Sequence, residues 1–153
     1  MAIVSAHMIL SVLAALLYGV LAWRASLLSA TGARHLLLSV AALHAGGLIT
    51  GFFVPPPAFG FAHAVSVSAW LVLVVYLLES RALPQLRARG FLALVGMVAV
   101  LLPLFFPGRA LPPEQSAWMG IHIALGMASY ALFACAVVHA WLVTRAEAAL
   151  RQP

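Results

Sequence analysis

The chain has 153 residues, of which 65% are hydrophobic and only 7% charged, and its mean hydropathy is +1.12. A water-soluble domain carries roughly a quarter charged residues, so this composition excludes one and marks an integral membrane protein. The formal charge of +5 comes from eight arginines, no lysine and three glutamates. The arginines sit in short segments between apolar runs, where they orient a protein in a bilayer rather than bind nucleic acid.

Five segments are long and apolar enough to span about 30 Å of hydrocarbon: residues 3–23, 35–53, 60–78, 90–106 and 118–143. No linker, repeat or low-complexity tract divides them. Residues 1–153 therefore read as one integral-membrane domain, an all-α, polytopic transmembrane helical bundle of about five spans. The first segment has no basic stretch before it and no small-x-small cleavage site after it, so it reads as a retained span and not a signal peptide. In the second, "ALHAGGLITG" places His44, Gly47 and Gly51 on one helical face. Small residues there admit either a closely packed helix or a flat macrocycle beside the histidine. The loop "VPPPAF" follows, stiff and extended. In the third segment His63, Ser66 and Trp70 form a stripe. Pro103 lies near the end of the fourth and is expected to kink it. The loop "FFPGRALPPEQSAW" leads into the fifth, which carries His122, Gly126, Ser129, Tyr130 and Phe133 on one stripe. Trp118 and Trp141 fit as interfacial anchors of that span, about 34 Å apart along a helix.

The arginines give the orientation. Arg24 and Arg34 lie between spans one and two, Arg81, Arg87 and Arg89 between three and four, and Arg145 and Arg151 after five. Arg109 alone falls on the other side. The positive-inside rule then predicts an N-out/C-in topology. It puts His7, His63 and His122 in the outer leaflet, His44 near the middle, and His35 and His139 near the inner face. Ionisable residues within spans are costly and usually face the bundle interior, and a neutral imidazole is a good iron ligand. His7 reads as terminal and solvated, and His35 and His139 as interfacial. His139 lies about 25 Å along the helix from His122 and cannot share a ligand with it. Other chemistries lack their parts. The single Cys135 forms no internal disulfide or CxxC site. Glu79, Glu114 and Glu147 lie at span ends or in loops, and no HExxH, GxSxG or phosphate-binding loop occurs.

The stretch "SAWMGIHIALGMASYALFACAV" resembles the W-x-x-x-H-(hydrophobic)-S-Y-A signature of the cytochrome c assembly family, the haem-handling membrane proteins of the CcsA/CcmC type. "ALHAGGL" and "VSAWLVLVVYLLESR" resemble the second and third spans of its YpjD/HemX-like branch, so the resemblance covers essentially the whole chain. It implies haem b binding or transfer during cytochrome c biogenesis in a bacterial inner membrane, without catalysis by this chain alone. By that resemblance His122 is a haem-iron ligand and His44 or His63 the second. Ser129 and Tyr130 match the following S-Y, and Trp118 the preceding Trp. The tryptophan-rich WWD loop of the haem lyases is absent, as it is in that branch. Family members usually have about eight spans, so other maturation subunits or C-terminal helices are expected to complete a conventional site. Two alternatives need no such family: a cofactor-free membrane scaffold subunit, and a cytochrome b-like electron-transfer subunit using His35 and His139 inside and His122 outside.

Overall fold

The computed structural model describes residues 2–24, 27–54, 58–82, 89–111 and 117–151. The Pro55–Pro57 run, Arg87, Glu114 and the side chains of Arg81, Trp141 and Arg145 lie outside the described residues. Five helices follow one another: α1 (Ala2–Arg24), α2 (Ala30–Phe52), α3 (Phe61–Ala82), α4 (Arg89–Phe105) and α5 (Ala117–Leu150). Two short strands, β1 (Ala58–Phe59) and β2 (Arg109–Ala110), pair antiparallel, Ala58 opposite Ala110 and Phe59 opposite Arg109. The strands tie the α2–α3 and α4–α5 connections together at one end, the hairpin end. Arg24, Arg34 and Arg89 lie at the opposite, arginine-rich end.

Four of these helices are long and apolar enough to cross a membrane. The fourth in sequence is the exception. Its 17 residues extend about 25 Å at 1.5 Å per residue, short of a 30 Å hydrocarbon layer. Three others run several residues past a predicted limit, α3 among them, ending at Ala82. In α2 the Ser29 side chain accepts from the Gly32 N–H at 3.1 Å, an N-cap that starts the helix before the apolar run. In α5 the tail "TRAEAAL" is rich in strong helix formers, and Arg151 lies 3.9 Å from Glu147 one turn back.

The helices pack in a definite order. α1 lies against α2 and α4, α3 lies against α2, α4 and α5, and among the described residues α5 is in substantial contact with α3 alone. The core gathers Ala14, Tyr18, Leu21, Leu37, Val40, Leu73, Tyr76, Leu77, Ala93 and Val100. Tyr18 is its largest fully buried side chain. It fits because α4 presents Gly96 there: a Cβ at Gly96 would lie 2.5 Å from Cζ of Tyr18. At the hairpin end, Gly108 takes φ +79° and crosses Gly60 so closely that a Cβ on Gly60 would lie 2.9 Å from the Gly108 Cα. Left-handed backbone of this kind favours glycine.

The Tyr18–Gly96 contact is testable. Gly96→Ala should destabilise the bundle by about 1–3 kcal/mol, the range for overpacking a filled core. Reversible unfolding in detergent–SDS mixtures measures it. An unchanged midpoint would show that Tyr18 does not occupy this notch.

Candidate functional site

The polar side chains of the bundle gather towards the hairpin end of α1, α2 and α3. At their centre His44 is 0% exposed. Its Nδ1 lies 3.0 Å from the Tyr18 hydroxyl on α1, and its Nε2 lies 2.9 Å from Ser66 Oγ on α3. A neutral imidazole offers one donor and one acceptor. The tip of Tyr18 is pressed against Gly96, so its proton is best used on His44. The arrangement that satisfies most groups has Tyr18 O–H donating to Nδ1 and Nε2–H donating to Ser66 Oγ. A second tie lies nearby, where Trp70 Nε1–H on α3 donates to the Ala41 carbonyl on α2 at 2.9 Å. Trp70 therefore links two helices.

The glycine face of α2 is filled by α1. A Cβ on Gly47 would lie 3.0 Å from Ser11 Oγ, and one on Gly51 would lie 2.8 Å from the His7 ring. The space beside His44 that a macrocycle would need is taken. What remains is a gap of about 20 Å³ bordered by His7, Ser11, His44, His63 and Ser66, room for one water. His44 is thus placed as a buried hydrogen-bonding hub. Iron ligation by it requires breaking one of its two bonds.

His7 is half-buried, where the sequence reading put it in water. Its Nδ1–H donates to the Gly47 carbonyl at 2.9 Å. This bond fixes the tautomer and leaves the lone pair on Nε2. His63 packs beside Phe59, ring centroids 5.9 Å apart. Its Nδ1 is buried and lacks a hydrogen-bond partner. Both rings line a partly open cavity of about 440 Å³ beneath the paired loops, together with Val4, Met8, Pro103 and Leu104. The only sequence signal for His7 was its position: the offset between Gly47 and Gly51 leaves notches one turn apart, matching Ser11 and His7 on an antiparallel neighbour.

The remaining predicted residues belong to another surface. α5 packs through Met127 and Ala131, while His122, Ser129, Tyr130 and Phe133 point away from the bundle. Trp118 is 77% exposed and Tyr130 65%. A Cβ on Gly126 would meet no neighbouring atom within 4 Å. Ser129 Oγ donates to the Leu125 carbonyl of its own helix at 2.9 Å. His122 therefore shares no cavity with His44 or His63, and no cluster of three or more metal-binding side chains occurs among the described residues. At the arginine-rich end His139 Nε2 lies 2.9 Å from Glu79 of α3, whereas His35 is exposed. The chain matches no family model, no curated protein and no solved structure.

Two outcomes follow from this geometry. Tyr18→Phe should lower stability by about 0.5–2 kcal/mol, since in membranes such bonds average about 0.6 and reach about 1.7 kcal/mol. His44→Phe should cost more, because it strands two hydroxyls. SDS titration of the three proteins ranks them, and equal stability of all three would refute the hub. Separately, His139→Ala should raise protease cutting in the α4–α5 connection several-fold while the α1–α2 hairpin stays protected. Unchanged cutting would show that the Glu79 contact does not hold α5.

Proposed function

We propose that this chain is a haem-handling protein of cytochrome c biogenesis in a bacterial inner membrane, with the hairpin end on the outer face and the arginine-rich end in the cytoplasm. The observation that carries the reading is the uncovered face of α5. Trp118, His122 and Tyr130 are exposed there beside the open notch at Gly126. An unpartnered imidazole at membrane depth is costly, so this face calls for a ligand or helix of matching chemistry. Haem b matches on both counts. Its iron takes an imidazole nitrogen, and its apolar macrocycle lies against small and aromatic residues. His122 would hold the iron, Tyr130 would bond a propionate, and Trp118 lies one turn above. His44 is already engaged at both nitrogens and His63 shares no cavity with His122, so the second ligand comes from a partner subunit. The arginine distribution supports the orientation, and the resemblance of "WMGIHIALGMASYA" to the assembly signature supports the haem.

A second reading, a cofactor-free scaffold subunit, is favoured by the saturated state of His44 and the filled glycine face. There the face of α5 meets another helix. The engagement of His139 with Glu79 gives no support to an inner haem.

Absorption spectra separate the readings. The detergent-purified protein supplied with haem should show a Soret band, with sharp α and β bands on dithionite reduction. His122→Ala should lose most of that absorbance, and Tyr18→Phe should keep it. Absence of the bands in the unmodified protein, alone and with its membrane partners co-expressed, would leave the scaffold reading.

A further inference from the structure

A groove of about 270 Å³ lies between α2 and α3 in the half of the bundle nearer the arginine-rich end. One wall is a stripe of α2 that runs from Arg34 through Ala42 to Ala45, and the other is formed by Trp70, Val74 and Leu78 of α3. Arg34 and Ala45 stand about 16 Å apart along the helix axis. That is one leaflet of a hydrocarbon layer about 30 Å thick. Arg34 lies near the start of the membrane-crossing stretch Thr31–Phe52, and Trp70 near the middle of Phe61–Ser80. The groove therefore leads from the membrane surface to mid-depth. The Trp70–Ala41 bond holds its walls together, and Ala42 and Leu78 are exposed along it.

Arg34 sets the chemistry of its mouth. The residue is half-buried, and its guanidinium forms no ion pair among the described residues. The whole chain has three acidic side chains. Glu79 is engaged by His139, Glu147 lies beside Arg151 on the tail of α5, and Glu114 falls in the sequence between β2 and α5, the connection of the hairpin end. The chain thus has no spare acid for Arg34. A guanidinium at the head of an apolar groove is matched by a phosphate, which it can bond through two parallel N–H groups. A bilayer supplies that phosphate with an acyl chain attached. The charge around the mouth chooses the headgroup. Arg24 and Arg89 stand at the same end, and so does the positive end of the α2 dipole. This field favours a lipid of net negative charge over one whose headgroup carries its own cation. Basic pockets between membrane helices take anionic headgroups in this way. We propose that the α2–α3 groove binds one anionic phospholipid from the leaflet at the arginine-rich end. Its phosphate sits on Arg34, and one acyl chain runs along Ala42 and Ala45 to Trp70. The site is separate from the α5 face and independent of the haem reading.

Trp70 reports occupation of the groove. Replacing Trp23, Trp118 and Trp141 by Phe leaves it as the single indole of the full chain. Its quenching is then measured in bilayers holding phosphatidylglycerol brominated along its acyl chains in a phosphatidylcholine background, and with the bromines on the phosphatidylcholine instead. Phosphatidylglycerol should be preferred beside Trp70 by about fivefold, the factor one arginine contributes near an anionic surface. Arg34→Gln should bring the preference to parity, and Arg34→Lys, which keeps the charge, should retain most of it. Ala42→Phe fills the groove, leaves Arg34 in place and should also give parity. It decides the matter if Arg34→Gln does not fold. Parity in the parent protein would mean that Trp70 meets bulk lipid. A preference that survives either Arg34→Gln or Ala42→Phe would mean that the arginine-rich end gathers anionic lipid as a whole. Each of these results overturns the proposal.

Discussion

The bundle depends on one constraint: within hydrocarbon every polar group must find its partner inside the protein. His44 is where that constraint is met most fully. One ring, placed near the middle of α2, hydrogen-bonds Tyr18 through Nδ1 and Ser66 through Nε2, and so ties α1 and α3 to α2. The glycines follow from the same choice. Gly96 exists to receive the Tyr18 ring, and Gly47 and Gly51 receive Ser11 and His7. Lipid tails are as apolar as leucine, so no hydrophobic force draws these helices together. Close approach and interhelical bonds do it, and they coincide at this node.

α5 obeys a different balance. Only 11% of its spanning window is buried, against 22%, 22% and 28% for the other three long helices. Its attachment rests on Met127 and Ala131 against α3 and on the His139–Glu79 contact at the arginine-rich end. A helix so lightly held keeps one face free, and the polar and aromatic residues of α5 lie on that face. The functional reading follows from this division of labour. Histidines inside the α1–α3 node serve the fold, and the exposed histidine of α5 is available to a ligand.

Much of this was legible in the sequence, but not which neighbour each face meets. Hydropathy located all five helices, and the arginines sorted their ends. It gave α4 its 17 residues but counted them as a full span, and it missed the early start of α2, because a window average blurs the Ser29 cap. The stripe of α5 was correctly seen as one face; periodicity defines a face without saying whether it points in or out. The same limit applied to "ALHAGGL". Small residues announce close approach, yet a macrocycle and an α1 side chain leave the same signature. His7 was hardest to read, since its burial depends wholly on the register of α1 against α2.

That register also explains why the hairpin end carries two kinds of polar group at similar depth. Where α1 meets α2, His44, Tyr18 and Ser66 interlock and the helices close to a gap of about 20 Å³. A turn or two further out, Pro103 brings no N–H to its helix, and the loops are drawn over by the Gly60–Gly108 crossing. The helix ends there enclose a cavity in place of a seam. Polar groups in the seam are satisfied by each other. His44, held at both nitrogens in the seam, is therefore a structural histidine, whereas His122 lies on the uncovered face of α5.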